Sequence, residues 1–169
     1  MKKAILFFSM LFISTSLTFG QTATLSLPDL GEQPAGSVFF PITIDTIDDG
    51  IGTFQIFLEF DKTVLTPVDV TYPDPNFPRD EWMNNLVYGE GELILTWLNS
   101  EGTNTNPVPG EVICIIEFIY SDESAFSPLI WETNKPGPGK SEKVMTALWT
   151  KLGKQFTLKL IDGSIGVSQ

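Results

Sequence analysis

The stretch GIGTFQIFLEFDKTVL, residues 50–65, decides the fold class. Its middle alternates between a wholly apolar set of positions and a mixed set: Phe54, Ile56, Leu58 and Phe60 against Thr53, Gln55, Phe57 and Glu59. Successive side chains of a strand point to opposite faces, so this pattern predicts a strand with one face in a core. Gly50 and Gly52 indicate a turn or bulge before it, and Asp61-Lys62 indicates a turn after it. We expect a half-buried central strand.

The first twenty residues have the pattern of a secretory signal peptide. Lys2 and Lys3 precede an apolar run at 4–12, and small residues stand just before Gln21. The run is shorter than the ~20 apolar residues that span a bilayer. We therefore expect residues 1–20 to be removed and residues 21–169 to form one secreted domain, extracellular or periplasmic, without membrane insertion. An uncleaved anchor is the alternative.

The charge of the predicted mature domain disfavours two classes of partner. Two of the ten basic residues and none of the 21 acidic residues lie in the predicted signal peptide, which leaves a formal charge of −13 (8 − 21). Nucleic-acid phosphates and anionic lipid surfaces repel such a domain. We expect no nucleic-acid partner, and solubility outside the cell explains the charge.

The residue types present argue against an enzyme. The chain has no histidine, which excludes His-based triads and His-rich metal sites. The single cysteine, Cys114, lies in the apolar run VICIIEF, where we expect a buried residue and not a nucleophile. Among 21 acidic residues, a close carboxylate pair arises by chance. We expect no catalytic residues, metal or cofactor on this chain, although Asp48 and Asp49 can be read either as calcium ligands or as an acidic turn.

Strand patterns separated by turn residues continue along the chain. The predicted strands are residues 22–27, 38–44, 53–60, 64–70, 92–98, 111–120, 128–132 and 164–167, with a hairpin formed by 143–151 and 155–161. Pro41 and Pro67 place their strands at an edge or a bulge. Residues 79–86 weakly indicate a helical turn. About nine or ten short strands predict an all-β sandwich.

The order of motifs resembles that of cohesin modules. GIGTFQIFLEFDKTVL is followed by GELILTWLNS, GEVICIIEFIY, SPLIWE and LIDGSIGV, so that the resemblance spans residues 22–167. It implies a nine-stranded β-sandwich of jelly-roll type, a fold shared with a family of carbohydrate-binding modules. It also implies a dockerin partner, a small helical module that itself carries the calcium, in a polysaccharide-degrading or cell-surface assembly.

The resemblance implies that one exposed sheet face binds the partner. The positions that carry over are Thr53, Gln55, Phe57, Glu59, Tyr88, Ile94, Thr96 and Leu98. The last three face outward if Trp97 points inward, which the apolar pattern of both faces leaves open. Phe57 either contacts the partner with Tyr88 or packs beneath a loop. Residues 135–154 are longer and more basic than the family pattern and are candidates to cover one face.

Two further functions stay open. Exposed tryptophans stack on sugar rings, and of the four tryptophans Trp97 and Trp131 lie in apolar strand contexts typical of a core. Trp82 and Trp149 lie in more polar stretches and are the candidates for binding a polysaccharide. A structural domain of a surface assembly is the third possibility.

Overall fold

The computed structural model describes residues 20–78, 81–85, 91–100, 105–132, 135–136, 143–144 and 146–166. Residues 1–19 lie outside this description, so the signal peptide stays a prediction. Thirteen strands occur in the described part: β1 (Thr22–Ser26), β2 (Gly36–Ile47), β3 (Thr53–Phe60), β4 (Leu65–Thr71), β5 (Trp82–Asn85), β6 (Glu92–Leu98), β7 (Glu111–Tyr120), β8 (Ser127–Trp131), β9 (Lys135–Pro136), β10 (Lys143–Val144), β11 (Ala147–Trp149), β12 (Thr157–Ile161) and β13 (Gly163–Ile165).

Two sheets pack face to face. Sheet A has the order β12-β1-β2-β7-β4, and sheet B has the order β13-β8-β3-β6-β5 with β11 also paired to β3. Strands β9 and β10 pair with each other. The predicted all-β sandwich is confirmed, with ten strands along the two sheet orders instead of the predicted nine.

The alternation of β3 builds the core as predicted. Phe54, Ile56, Leu58 and Phe60 are all buried, and β3 lies between β6 on one side and β8 and β11 on the other. Across the two sheets, Phe60 meets the ring of Phe118 edge-on at 5.1 Å. The prediction of a half-buried central strand is confirmed.

An aromatic cluster fills one end of the core. Phe54 stacks on Trp97 with 5.4 Å between ring centroids, and Phe77 meets Trp97 edge-on at 4.8 Å. Such pairs stabilise a core beyond the area that they bury. The predicted burial of Trp97, Trp131 and Cys114 is confirmed, and burial raises the pKa of the Cys114 thiol well above its ordinary value.

The two prolines lie where a strand is paired on one side only or irregular. Pro67 belongs to β4, which ends sheet A, and the pairing register shifts just after it. Pro41 lies in β2, but the pairing of β2 with β1 stops at Thr43, so Pro41 has only β7 beside it. Proline has no N–H to donate, and both positions tolerate that.

Two sequence predictions are corrected. The helical turn at residues 79–86 is replaced by β5, whose backbone pairs with the next strand, β6. The hairpin of residues 143–151 and 155–161 is limited to its turn around Gly153, where Trp149 bridges Gln155 and the Phe156 N–H donates to the Leu148 carbonyl at 3.0 Å. Beyond this turn, β11 joins β3 in sheet B, and β12 runs parallel to β1 in sheet A. In both segments pairing with another strand overrides the local pattern.

Removal of the Phe54 ring tests the aromatic cluster. We expect Phe54→Ala to lower the free energy of unfolding by about 3–5 kcal/mol, because it leaves a cavity beside Trp97 and Phe77. Phe39→Ala is the matched control, since the Phe39 side chain is 54% exposed on β2 and its loss should cost about 1 kcal/mol or less. Urea unfolding measures both. Equal losses would contradict the central place of the cluster.

Hydrogen bonds in the turn after β3 change the pKa of Asp61. The Thr63 hydroxyl and N–H donate to Asp61 Oδ1 at 2.6 and 2.8 Å, and these bonds hold the pKa of Asp61 below its ordinary value of 3.8. The stability that they supply is therefore present above the unfolded-state pKa and is lost as the pH falls through the lowered folded-state pKa. We expect Thr63→Val to raise the pKa of Asp61 in an NMR titration. The pKa of Asp122, lowered in the same way by Ser124, should stay unchanged.

Candidate functional site

The outer face of sheet B, turned away from sheet A, carries most of the predicted contact residues. Residues directly opposite each other on neighbouring strands share a face, and the register therefore defines rows across β11, β3, β6 and β5. One row is Trp149–Thr53–Leu98, the next is Ala147–Gln55–Thr96–Met83, and the third joins Phe57 to Ile94. Glu59 stands opposite Glu92 in the fourth row.

The orientation of β6 follows from burial. Leu93, Leu95 and Trp97 are buried in the core, and the alternate residues Ile94 and Thr96 are partly exposed. Leu98 is 51% exposed. The condition that Trp97 points inward is met, so Ile94, Thr96 and Leu98 lie on the outer face.

The predicted contact residue Phe57 is buried on this face, as is its neighbour Ala147. Its position in β3 places it outside the core, yet its side chain is only 1% exposed. Its N–H donates to Thr146 Oγ1 at 2.9 Å, and its carbonyl accepts from the same hydroxyl at 3.0 Å and from the Glu132 N–H at 2.9 Å. The interpretation of Phe57 as an exposed partner contact is therefore corrected. The 1% exposure agrees with the alternative, packing of Phe57 beneath a loop.

The chain beside Phe57 is an interrupted strand. β8 pairs with residues 58–60 of β3, and β11 pairs with residues 53–55 on the same edge. Between them the Thr146 N–H donates to the Glu132 carbonyl at 2.8 Å, so the chain leaves the edge and returns to the same point. The β9–β10 pair lies in this excursion. Residues 137–142 lie outside the description, and the extent to which 135–154 covers the sheet stays a prediction.

Phe57, which is buried, divides the outer face along β3. The end beyond Phe57, toward the start of β3, we call the open half; its residues are Thr53, Gln55, Met83, Thr96, Leu98 and Trp149. Met83 is 53% exposed, comparable to Leu98, and Thr53, Gln55 and Thr96 are partly exposed between these apolar side chains. Tyr88 lies outside the described residues. The open half is a flat strip of polar residues bordered by apolar ones.

The two tryptophans proposed for sugar binding are separated in the sheet. Trp149 is partly exposed on β11, and Trp82 belongs to β5, with β3 and β6 between them. The side chain of Trp82 lies outside the description. A joint platform of Trp82 and Trp149 stays a prediction.

A small cavity of about 240 Å³ opens beside the open half. Its lining residues are Gly52, Thr53, Leu98, Trp149, Thr150, Lys151 and Gly153. Gly52 is needed here, because a Cβ at this position would lie 2.4 Å from the backbone nitrogen of Lys151. The sequence pattern predicts a turn or bulge at Gly52 but not this close approach, since the segment it approaches is distant in sequence.

The acidic run before β3 is an acidic turn. Both carboxylate oxygens of Asp48 accept from the Thr22 N–H, at 2.8 and 2.9 Å, and Asp49 accepts from the Gln21 side chain. These bonds tie the start of β1 to the turn, which favours the structural interpretation over calcium ligation. Among the described residues, no group of three or more His, Cys, Asp or Glu side chains is placed to hold a metal. No helix in the same part of the chain has the length and apolar character to cross a membrane.

The comparison with known proteins rests on structure. No protein-family model and no curated protein sequence matches this chain. Solved cohesin structures superpose over most of it. The chain has a cohesin-like fold.

Three solved structures illustrate the likeness. A type I cohesin–dockerin complex from Clostridium thermocellum has a TM-score of 0.67 at 14% identity and covers 86% of this chain and 99% of its own. The seventh ScaB type I cohesin of Pseudobacteroides cellulosolvens has a TM-score of 0.66 at 16% identity, covering 87% and 93%. A non-cellulosomal cohesin from Archaeoglobus fulgidus has a TM-score of 0.61 at 14% identity, covering 88% and 93%. This cohesin-like domain thus shares its fold with proteins from bacteria and an archaeon.

The close approach at Gly52 gives a stability prediction. We expect Gly52→Ala to lower the free energy of unfolding by about 1–3 kcal/mol, because the added methyl group forces the Lys151 backbone away. Leu152→Ala in the same turn is the control; its side chain is 87% exposed, and the change should stay within about 0.5 kcal/mol. Thermal or urea unfolding measures both variants. A Gly52→Ala protein as stable as the control would show that the turn does not pack on β3.

Proposed function

We propose that this chain is a secreted, non-catalytic protein-recognition module that binds a dockerin-type partner through the open half of sheet B. The observation that carries the proposal is the pair of apolar side chains, Leu98 and Met83, held half-exposed on the outer face of sheet B with polar Thr53, Gln55 and Thr96 beside them. Protein interfaces bring exposed apolar groups and hydrogen-bonding groups together in one surface. The fold supports the same conclusion, since several of its structural neighbours are cohesins in complex with dockerins.

The roles of the residues differ from the sequence prediction. Because Phe57 is buried, the apolar contact passes to Leu98, Met83 and Trp149 at the edges of the open half. Gln55 and Thr96 lie opposite each other between them and offer side-chain donors and acceptors that set the register of a partner. Calcium is expected on the dockerin-type partner and not on this chain.

Carbohydrate binding is the second candidate. The specific observation in its favour is Trp149, a partly exposed residue that lines a cavity together with Thr53 and Leu98. If this function is correct, Trp149→Ala abolishes retention on insoluble polysaccharide.

Calorimetric titration tests the proposed function. The probes are purified, calcium-loaded dockerin modules from the source organism, together with the dockerin of the Clostridium thermocellum complex. We expect at least one to bind with a Kd in the micromolar range or tighter. Leu98→Asp should weaken that binding at least tenfold, because it places a charge at a position that the partner desolvates.

Ile119→Asp is the matched control. Ile119 is a strand residue of similar size and exposure on β7, in the other sheet. The control should bind as the wild type does. Absence of binding to every dockerin, or equal loss in the two variants, would contradict the proposal.

A further inference from the structure

The cavity beside the open half has the size of a side-chain socket. Its volume of about 240 Å³ is below the roughly 300–1,000 Å³ of sites that enclose small-molecule ligands. Leu98 and Trp149 supply apolar lining, and Leu152, on the turn that forms one wall, is 87% exposed. A single apolar side chain inserted from a partner fits this volume and this lining. We call the cavity with the turn at residues 150–154 the turn pocket.

The turn pocket is held in shape by its own hydrogen bonds. The Thr150 N–H donates to the Lys154 carbonyl, and the Gly153 N–H donates to the Thr150 carbonyl, both at 2.9 Å. Gly153 has a φ of +74°, which suits glycine in such a turn. The Gly52 N–H donates to the Trp149 carbonyl at 2.8 Å and fixes the turn against β3. A preformed socket loses less conformational entropy when it is filled.

The charge around the turn pocket is opposite to that of the domain. The turn at residues 150–154 holds two lysines and no acidic residue, whereas residues 21–169 as a whole have 21 acidic and eight basic residues. Lys151 and Lys154 are both exposed on the turn, and Lys151 Nζ donates to the Asn99 carbonyl at 2.7 Å. On the opposite side, Glu81 accepts from the Ser100 N–H and hydroxyl, two residues beyond Leu98. The rim formed by the turn is therefore locally positive.

We propose, on the basis of the function proposed above, that the turn pocket is the anchor site for a partner segment presenting one apolar side chain flanked by carboxylates. The apolar group enters between Leu98 and Trp149, and the carboxylates lie against Lys151 and Lys154. Elsewhere the domain repels acidic partners, so this polarity restricts docking to one end of the open half. The turn pocket thereby sets both the position and the charge of the partner.

Two synthetic peptides test this polarity without a natural partner. Both are capped and present one leucine, flanked in one by four glutamates and in the other by four lysines. In ¹H–¹⁵N NMR titrations we expect the glutamate peptide to shift the amide signals of Thr53, Leu98, Trp149 and Lys154 in a saturable manner. At equal concentration, the lysine peptide should cause chemical-shift changes of these signals that are at least tenfold smaller. Equal effects, or no shift with the glutamate peptide, would overturn the proposal.

Charge reversal supplies the matched comparison. Lys154→Glu should weaken the binding of the glutamate peptide at least fivefold. Lys159→Glu, on β12 of the other sheet, should leave the binding of this peptide unchanged. A dockerin that binds equally to wild type and Lys154→Glu would overturn this inference while leaving the proposed function intact. Saturable binding of the glutamate peptide without binding of any dockerin would support this inference and contradict the proposed function.

Discussion

Strand β3 needs hydrogen-bond partners along both edges, because its backbone lies in the middle of a sheet where water does not reach its N–H and carbonyl groups. One edge is satisfied by β6 along residues 53–59. The other edge is shared: β8 pairs with its last three residues and β11 with its first three. The main-chain groups of Phe57 between them bond to Thr146 and Glu132. This shared edge places the buried residue Phe57 at the junction of β8 and β11.

The core behind β3 buries a polar atom, the indole nitrogen of Trp97. The Trp97 indole Nε1 is buried without a hydrogen-bond partner in the described part of the chain, yet Phe77 meets the same indole edge-on at 4.8 Å. An aromatic neighbour compensates only weakly for a missing hydrogen bond. Burial of the Trp97 Nε1 group is therefore unfavourable. The packing of the indole against Phe54 and Phe77 offsets this cost in stability.

The sequence predicts best where the pattern is local. The alternation of β3 and the burial of Cys114 both follow from the apolar pattern, whereas apolar residues on both faces of β6 leave the direction of Trp97 open. The strand β5 does not follow from this pattern, because it forms by pairing with the next strand, β6, and the position of β11 does not, because β11 pairs with β3, far back in the chain. The burial of Phe57 is not visible in its own strand either. Its parity gives its face correctly, but its main chain bonds to Thr146, 89 residues away.

The interrupted strand makes one point of the fold tolerant of changes in loop length. Its two ends, Glu132 and Thr146, are joined by a hydrogen bond of 2.8 Å, so the sheet closes whatever the chain does between them. Each doubling of a flexible loop costs only about 0.6 kcal/mol of closure entropy, and little else in sheet B has to move. This point of the fold therefore accepts insertions and deletions at small thermodynamic cost. Foreign segments grafted there would be displayed at the border of the open half, on a scaffold whose own pairing stays intact.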